Sequence, residues 1–209
     1  DKYDFNPRFN RMVIPAIMAD SPACWISIHF GFLGETYTLN TSCASGTYAM
    51  GEAFRKIKGG LADMVITGGV ECLEDPSGTI MRGFDTLGTL TRSDDGLPMP
   101  FSKQRSGFLF AEGGGCMLVL ERLDKALERN AEIYAEISGY ESCSDAYNLV
   151  QIEPSGKQIK KMINTLKGDA RIDYFNVHGT ATQLNDEFEQ GMIKEVFGSQ
   201  SEQPLINST

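Results

Sequence analysis

The sequence has few of the features that mark membrane-spanning, secreted or nucleic-acid-binding proteins. Its 209 residues contain no run approaching the roughly 18 apolar residues that a membrane-spanning helix needs. The first residues, Asp1-Lys2-Tyr3-Asp4, are polar and contain no apolar signal region. The 19 basic residues are outnumbered by 28 acidic ones, and the formal charge of −9 opposes phosphate binding. We therefore expect no membrane span and no nucleic-acid partner.

Patterns typical of metal sites and disulfide frameworks are also missing. The five cysteines are odd in number and widely scattered, no Cys-x-x-Cys pair occurs, and the sequence has only two histidines. This composition argues against a zinc site and against a disulfide framework. Free thiols fit a reducing compartment, so we predict a cytoplasmic protein. We expect it to hold no metal and no cofactor.

What the sequence does have is a regular alternation of strand and helix patterns. Short apolar runs predict strands over residues 37–40, 64–69, 116–121, 133–140 and 172–177. Helical periodicity predicts helices from residue 47 to the Gly59-Gly60 pair, and over 123–130, 157–166 and 187–197. This alternation predicts an α/β protein with largely parallel strands.

Cys43 lies between the first of these strands and the first of these helices. Met50, Phe54 and Ile57 recur at helical spacing after it, which predicts that Cys43 lies at or just before a helix N-terminus. The helix dipole and unpaired N–H groups there favour a thiolate, and an N–H can stabilise an oxyanion. The small residues 44–46 let a substrate come close. We interpret Cys43 as a nucleophile; the alternative is an inert, buried thiol.

His178 ends the predicted strand 172–177 and opens the segment His-Gly-Thr-Ala-Thr. In that position an imidazole can point into a cleft, with the hydroxyls of Thr180 and Thr182 available to an extended polar ligand. Asp186 and Glu189 follow in the predicted first turn of the next helix, where carboxylates are favoured by the dipole. For a single histidine, a purely structural role is the alternative.

Together these segments resemble the β-ketoacyl synthases, condensing enzymes of the thiolase superfamily, and especially the type that elongates acyl chains on acyl carrier protein. Four stretches match in the family's order and cover almost the whole chain. They are the Cys43 segment, residues 62–71 (ADMVITGGVE), residues 100–108 (PFSKQRSGF) running into Glu112-Gly113, and His178-Gly179-Thr180-Ala181-Thr182 with Asp186 and Glu189.

The resemblance implies a partial, layered α-β-α-β-α fold with mostly parallel sheets. Residues 1–130 would form the second part of the N-terminal ketosynthase half, including the nucleophile, and residues 131–209 the truncated start of the C-terminal half. The family is usually a homodimer, joined near the strand that precedes the cysteine. Its partner is an acyl carrier protein bearing phosphopantetheine-linked acyl and malonyl groups.

The resemblance also implies a role for each site residue in a decarboxylative Claisen condensation. Cys43 would take the acyl chain from a carrier-protein thioester, and His178 would orient and polarise the malonyl thioester. Thr180 and Thr182 would bind the phosphopantetheine arm. Asp186 and Glu189 would have structural or supporting roles. The pathway would be fatty-acid or polyketide synthesis.

The sequence departs from the family pattern in several places. The first strands of the N-terminal half, the family's second histidine in a Lys-x-x-x-Gly-His stretch and its later Gly-Phe-Gly segment do not occur, and Asn185 stands where glycine usually precedes Asp186. We therefore expect a part of a longer synthase that is inactive in condensation by itself. Two alternatives stay open: a non-catalytic partner subunit that sets product length, and a coenzyme A-dependent thiolase. Such partner subunits typically lack the nucleophile, so Cys43 counts against the first.

Overall fold

A computed structural model describes residues 11–208 of the chain. The first ten residues and Thr209 lie outside the described residues. They include the polar Asp1–Asp4 stretch and the two ends of the predicted halves 1–130 and 131–209. The chain divides into two compact units. One comprises the chain up to Val70 together with Gly115–Ala131, and the other comprises Glu71–Gly114 and the chain from Glu132 onward. They are called unit 1 and unit 2 below.

Helices and short strands alternate along the described residues. In chain order they are α1 (Val13–Ile17), α2 (Ser21–Phe30), α3 (Ser45–Lys58), β1 (Met64–Cys72), α4 (Thr79–Thr86), β2 (Gly113–Glu121), α5 (Leu123–Glu128), α6 (Lys157–Lys167), β3 (Tyr174–Val177), α7 (Gln183–Phe197) and β4 (Leu205–Ser208). Within residues 11–208, none of the helices is both long enough and apolar enough to cross a membrane.

In unit 1, α3 is the helix that follows Cys43. It buries its small residues Gly51 and Ala53 and ends at its C-cap, Gly59, as the sequence predicts. β1 contains the predicted strand 64–69 and pairs with β2. The two backbones come so close that a Cβ on Gly68 would meet the Cys116 carbonyl and lie 2.9 Å from the Met117 Cα. Only glycine fits there.

The two sheets within residues 11–208 differ in strand direction. β3 and β4 are parallel, with Tyr174 opposite Leu205 and Val177 opposite Ser208. In the other sheet Gly115 lies nearest Gly69 and Val70, whereas Gly113 lies nearest Glu71. Residue numbers therefore rise along one strand as they fall along the other, which is the order of an antiparallel pair.

Unit 2 has its apolar core between the β3–β4 sheet and α7. The buried residues Val177, Met192 and Ile193 form its centre. Partly buried apolar residues pack around them: Phe101, Ile163, Phe175, Val196, Phe197 and Ile206. α6 also packs against α7. The core fixes β3, and thus sets where the chain leaves the sheet at His178.

Two predicted strands are wrong. Residues 37–40 and 133–140 have a strand-forming composition, but neither segment is a strand in the structure. Among the described residues, neither segment pairs with a strand. A strand-forming composition is not enough, because a strand also needs a hydrogen-bonded neighbour. The predicted helix 187–197 begins earlier, at Gln183. α4 lies in a segment without strong periodicity, and the sequence analysis did not predict it.

Candidate active site

Cys43 lies in a tight turn, residues 41–45, which we call the cysteine turn. Its backbone is closed by two hydrogen bonds, from the Ala44 N–H to the Thr41 carbonyl (3.2 Å) and from the Ser45 N–H to the Ser42 carbonyl (3.1 Å). The Ser45 hydroxyl accepts a bond from the Thr41 N–H (2.9 Å) and donates to the Ser42 carbonyl (2.7 Å). α3 starts at Ser45, so the predicted position of Cys43 just before a helix is confirmed.

The cysteine turn contains an unusual backbone conformation next to the cysteine. Ser42 has a φ of 53°, in the left-handed region that residues other than glycine rarely adopt. The Asn40 side chain supports this conformation by accepting the Ser42 N–H at 3.2 Å. Strained turns just before a helix are a recurring way of presenting a nucleophile.

Cys43 is accessible to solvent and lies at the positive end of the α3 dipole. It is exposed, and its thiol is free. The first N–H groups of a helix lack acceptors within the helix and carry its positive dipole end. All of α3 is described, and its first turn contains no acidic side chain that would cancel this potential. An oxyanion formed beside the sulfur is favoured at such a place.

His178 follows β3 directly and opens a loop, residues 178–182, which we call the histidine loop. The Glu189 carboxylate, 7% exposed, fixes its first two residues. One oxygen accepts the His178 N–H at 2.8 Å and the other accepts the Gly179 N–H at 2.7 Å. Asn185, the residue that departs from the family pattern, donates its side-chain amide to the same carboxylate at 2.8 Å. The loop is therefore held by side chains of α7.

Asp186 fixes the other end of the histidine loop. Its side chain is 1% exposed, and one oxygen accepts the Ala181 N–H at 3.0 Å. The second oxygen accepts the Phe101 N–H at 2.6 Å and lies 3.7 Å from the Arg105 Nε. A buried carboxylate requires such partners, because leaving its charge unpaired would be strongly destabilising.

Gly179 allows the histidine loop to turn against β4. Its φ of 50° is left-handed, and a Cβ there would collide with the Ser208 side chain and lie 3.3 Å from the Phe101 ring. The close packing and the backbone conformation both require glycine at this position.

The two threonines of the histidine loop form a pair. Their hydroxyl oxygens are 2.9 Å apart, and both residues are half-buried. Thr182 is the N-cap residue of α7, but its side chain makes no capping hydrogen bond to the helix. The hydroxyl pair thus has remaining donor and acceptor capacity for a polar ligand.

The predicted site residues fall into two groups. Cys43 belongs to unit 1, and the five residues from His178 to Glu189 belong to unit 2, where the structure brings them together around the histidine loop. The contribution of Phe101 and Arg105 to this site was not predicted from the sequence. Their only sequence signal was the match of residues 100–108 to the family, which carried no role. Over residues 11–208, no cluster of three or more His, Cys, Asp or Glu side chains could hold a metal ion.

The chain matches two family descriptions in succession. Residues 2–126 match "Beta-ketoacyl synthase, N-terminal domain", and residues 134–209 match "Beta-ketoacyl synthase, C-terminal domain". The chain belongs to the β-ketoacyl synthase family. The thiolase-like α/β fold that the sequence predicted is confirmed by solved ketosynthase structures of the same fold.

Curated relatives of this β-ketoacyl synthase chain are carrier-protein synthases. The 3-oxoacyl-[acyl-carrier-protein] synthase 2 of Staphylococcus aureus is 35% identical over 209 residues, covering 97% of this chain and 51% of that protein. The protein of the same name from Synechocystis sp. is also 35% identical, covering 97% of this chain and 50% of its own length. The chain thus spans about half the length of the curated relatives it matches.

Solved structures agree with these relatives. A type II polyketide ketosynthase in complex with its acyl-carrier protein (AntDE:AntF) superposes with a TM-score of 0.86 at 30% identity, covering 95% of this chain and 50% of that one. A β-ketoacyl synthase from Burkholderia phymatum superposes with a TM-score of 0.79 at 32% identity, covering 90% of this chain and 46% of that one.

Proposed function

We propose that this chain is part of a β-ketoacyl-[acyl carrier protein] synthase that works in fatty-acid or polyketide synthesis. The observation that carries the proposal is the free, exposed Cys43 in a strained turn at the N-terminus of α3, in a chain of this family. The relatives named as 3-oxoacyl-[acyl-carrier-protein] synthases support the same reaction class. The presence of Cys43 argues against a non-catalytic partner subunit.

The first half-reaction is acyl transfer to Cys43. The thiolate attacks the carbonyl carbon of an acyl thioester on the carrier protein, and the carrier's phosphopantetheine thiolate leaves as a new thioester forms on Cys43. The positive dipole end of α3 favours the negative oxygen of the tetrahedral intermediate.

The second half-reaction joins the acyl group to a malonyl unit. Loss of carbon dioxide from the malonyl thioester leaves an enolate, whose carbon attacks the acyl carbonyl on Cys43. The carbon–sulfur bond to Cys43 breaks and the cysteine leaves as thiolate, while the β-ketoacyl product stays on the carrier. We assign His178 to the enolate oxygen, which a hydrogen bond from the imidazole would stabilise.

The remaining site residues position the substrate. The Thr180 and Thr182 hydroxyls, with their unused hydrogen-bonding capacity, would bind the amides of the phosphopantetheine arm. Asp186 and Glu189 would act through the histidine loop, because their carboxylates hold its backbone N–H groups. Neither carboxylate needs to touch the substrate in this assignment.

The assembly and its partner follow from the same proposal. The partner is an acyl carrier protein, as in the structural relative solved with its acyl-carrier protein. Exposed apolar residues just before the cysteine turn, Phe32, Leu33 and Tyr37, support a homodimer contact there. We also propose that residues 1–130 and 131–209 belong to successive ketosynthase halves, and that the protein works in the reducing cytoplasm, where its free cysteines stay reduced.

Two substitutions in the complete protein test the assignment. Cys43→Ala should abolish acylation of the enzyme, while His178→Ala should keep acylation and lose carbon dioxide release from malonyl-carrier protein. Cys72→Ala, at another exposed cysteine, is the matched control and should leave both steps unchanged. Loss of acylation with intact decarboxylation in His178→Ala would overturn the role of the histidine. Condensation by the Cys43→Ala protein would overturn the proposed function.

A further inference from the structure

Residues 100–108 match the family, but the proposed function gives them no role. In the structure this segment lies against the beginning of α7. The Phe101 N–H donates to Asp186, and the Gln183 side-chain amide donates to the Arg105 carbonyl at 2.8 Å. The two contacts join parts of the chain 85 and 78 residues apart. The segment is therefore part of the framework of the histidine loop.

The Arg105 side chain adds three hydrogen bonds to backbone carbonyls. One terminal nitrogen donates to the Ser102 carbonyl of its own segment at 2.9 Å. The Nε and the other terminal nitrogen donate to the carbonyls of Thr182 (3.4 Å) and Gln183 (3.3 Å). The side chain is only 16% exposed. A planar guanidinium can reach several carbonyls at once, which a lysine ammonium on its flexible stem cannot do in the same geometry.

The same guanidinium balances the buried charge of Asp186. Its Nε lies 3.7 Å from the carboxylate, and among the described residues this is the ion pair that Asp186 makes. Asp186 in turn holds the N–H of Ala181, the residue between the two threonines. Arg105 thus acts on the threonine pair by two routes, through Asp186 to Ala181 and directly at the Thr182 carbonyl.

We infer that Arg105 is a positioning residue for the Thr180–Thr182 hydroxyl pair. It contacts neither hydroxyl and acts through the backbone on both sides of Thr182. Phe101 assists, since its backbone has a left-handed φ of 62° while its N–H is bound to Asp186 and its ring packs beside Gly179. The consequence for substrate binding rests on the proposed function, in which the hydroxyl pair binds the phosphopantetheine arm.

Amide hydrogen exchange in the 209-residue chain tests the positioning without any activity. In Arg105→Met the amides of Phe101 and Ala181 should exchange at least about tenfold faster, because a charged hydrogen-bond network loses one member. Arg105→Lys keeps the positive charge but not the planar guanidinium, so it should give an intermediate exchange rate. Arg171→Met is the control, since that side chain is 90% exposed, and it should change neither amide.

Two exchange results would overturn the inference. One is unchanged exchange at Ala181 in Arg105→Met. The other is an equal acceleration of the amides in the β3–β4 pair, which would mean that the substitution only lowers global stability.

Kinetics of the complete synthase test the consequence for the substrate. Arg105→Met should raise the KM for the carrier-protein thioester about tenfold, with a much smaller change in kcat, because the threonine pair binds the arm and not the reacting carbons. An unchanged KM, or a fall in kcat alone, would overturn that consequence. If the unsubstituted enzyme performs no condensation, the proposed function fails, while the exchange experiment still decides the role of Arg105 in the loop.

Discussion

The cysteine turn and the histidine loop are built in opposite ways. The cysteine turn is exposed, and its hydrogen bonds join residues at most four apart, such as Thr41 and Ser45. The backbone of the histidine loop is held by the buried carboxylates of Asp186 and Glu189. The Asp186 carboxylate also accepts the N–H of Phe101, 85 residues away in the sequence. The turn is thus determined by its local sequence, whereas the loop takes its shape from tertiary structure.

This difference has consequences for both stability and function. A nucleophile in a locally formed turn can be replaced with little effect on folding. Residues that hold the histidine loop also tie together distant parts of unit 2, so their replacement should affect folding and site geometry together. Substitutions in the histidine loop or in the residues that hold it should therefore cost more stability than substitutions in the cysteine turn.

Asp186→Ala should lower the free energy of unfolding by about 3–5 kcal/mol, because it leaves the Arg105 charge and the N–H groups of Phe101 and Ala181 without their partner. Urea unfolding followed by circular dichroism measures the change. Asp173→Ala is the control, since Asp173 pairs with Arg171 at the surface. If Asp186→Ala does not fold, Asp186→Asn should still show a loss that Asp173→Asn does not. A loss of stability no larger than that of the control would show that the histidine loop does not depend on the buried Asp186 carboxylate.

Gly179→Ala should cost about 2–4 kcal/mol, because a left-handed backbone strains an alanine and its Cβ would overlap Ser208. Thermal and urea unfolding give the size of the loss. Gly191→Ala makes the same change on α7 where nothing lies within 4 Å of the new Cβ, and should be neutral or stabilising. Equal effects of the two substitutions would show that the loop is not tightly packed against β4.

Ser45→Ala should cost about 1 kcal/mol, because the hydroxyl makes two hydrogen bonds within a partly solvated turn. Thr47→Ala, in the same helical turn at an exposed position, corrects for the change in helix propensity. A loss as large as that of Asp186→Ala would contradict the view that the cysteine turn is a local structure.

Cys43→Ala should leave the unfolding midpoint unchanged within error, since the side chain is exposed and its thiol is free. Differential scanning calorimetry of the variant beside the unsubstituted chain measures this. A clearly lower midpoint would mean that the cysteine has a structural role after all.

The same contrast explains what could be predicted from the sequence. The position of Cys43 before α3 was predictable, since the helical spacing of Met50, Phe54 and Ile57 and the stop at Gly59 are local signals. His178 after β3 followed from a short apolar run in the same way. Asp186 and Glu189 were placed on the correct helix, and Asp186 lies in its first turn as predicted. The prediction that Glu189 also lies in the first turn is wrong, because α7 begins earlier, at Gln183.

Features that depend on residues far apart in the sequence could not be predicted. Residues 37–40 and 133–140 have β-forming side chains, but a strand also needs a neighbouring backbone to pair with. The contact of Arg105 and Phe101 with α7 joins segments about 80 residues apart, and no local pattern indicates which carboxylate a buried arginine will meet. These contacts required the structure.

Cys43 carries the acyl chain in the proposed reaction, and trapping the acyl-enzyme tests this assignment. The protein is incubated with an acyl-carrier-protein thioester, quenched, digested and mapped by mass spectrometry. The acyl mass should appear on the peptide containing Cys43 and vanish in Cys43→Ala. Cys143, whose pKa is raised by desolvation and by the nearby Asp145 carboxylate, should stay unmodified. Acylation spread over all five cysteines, or absent from Cys43 in an otherwise active enzyme, would contradict the account.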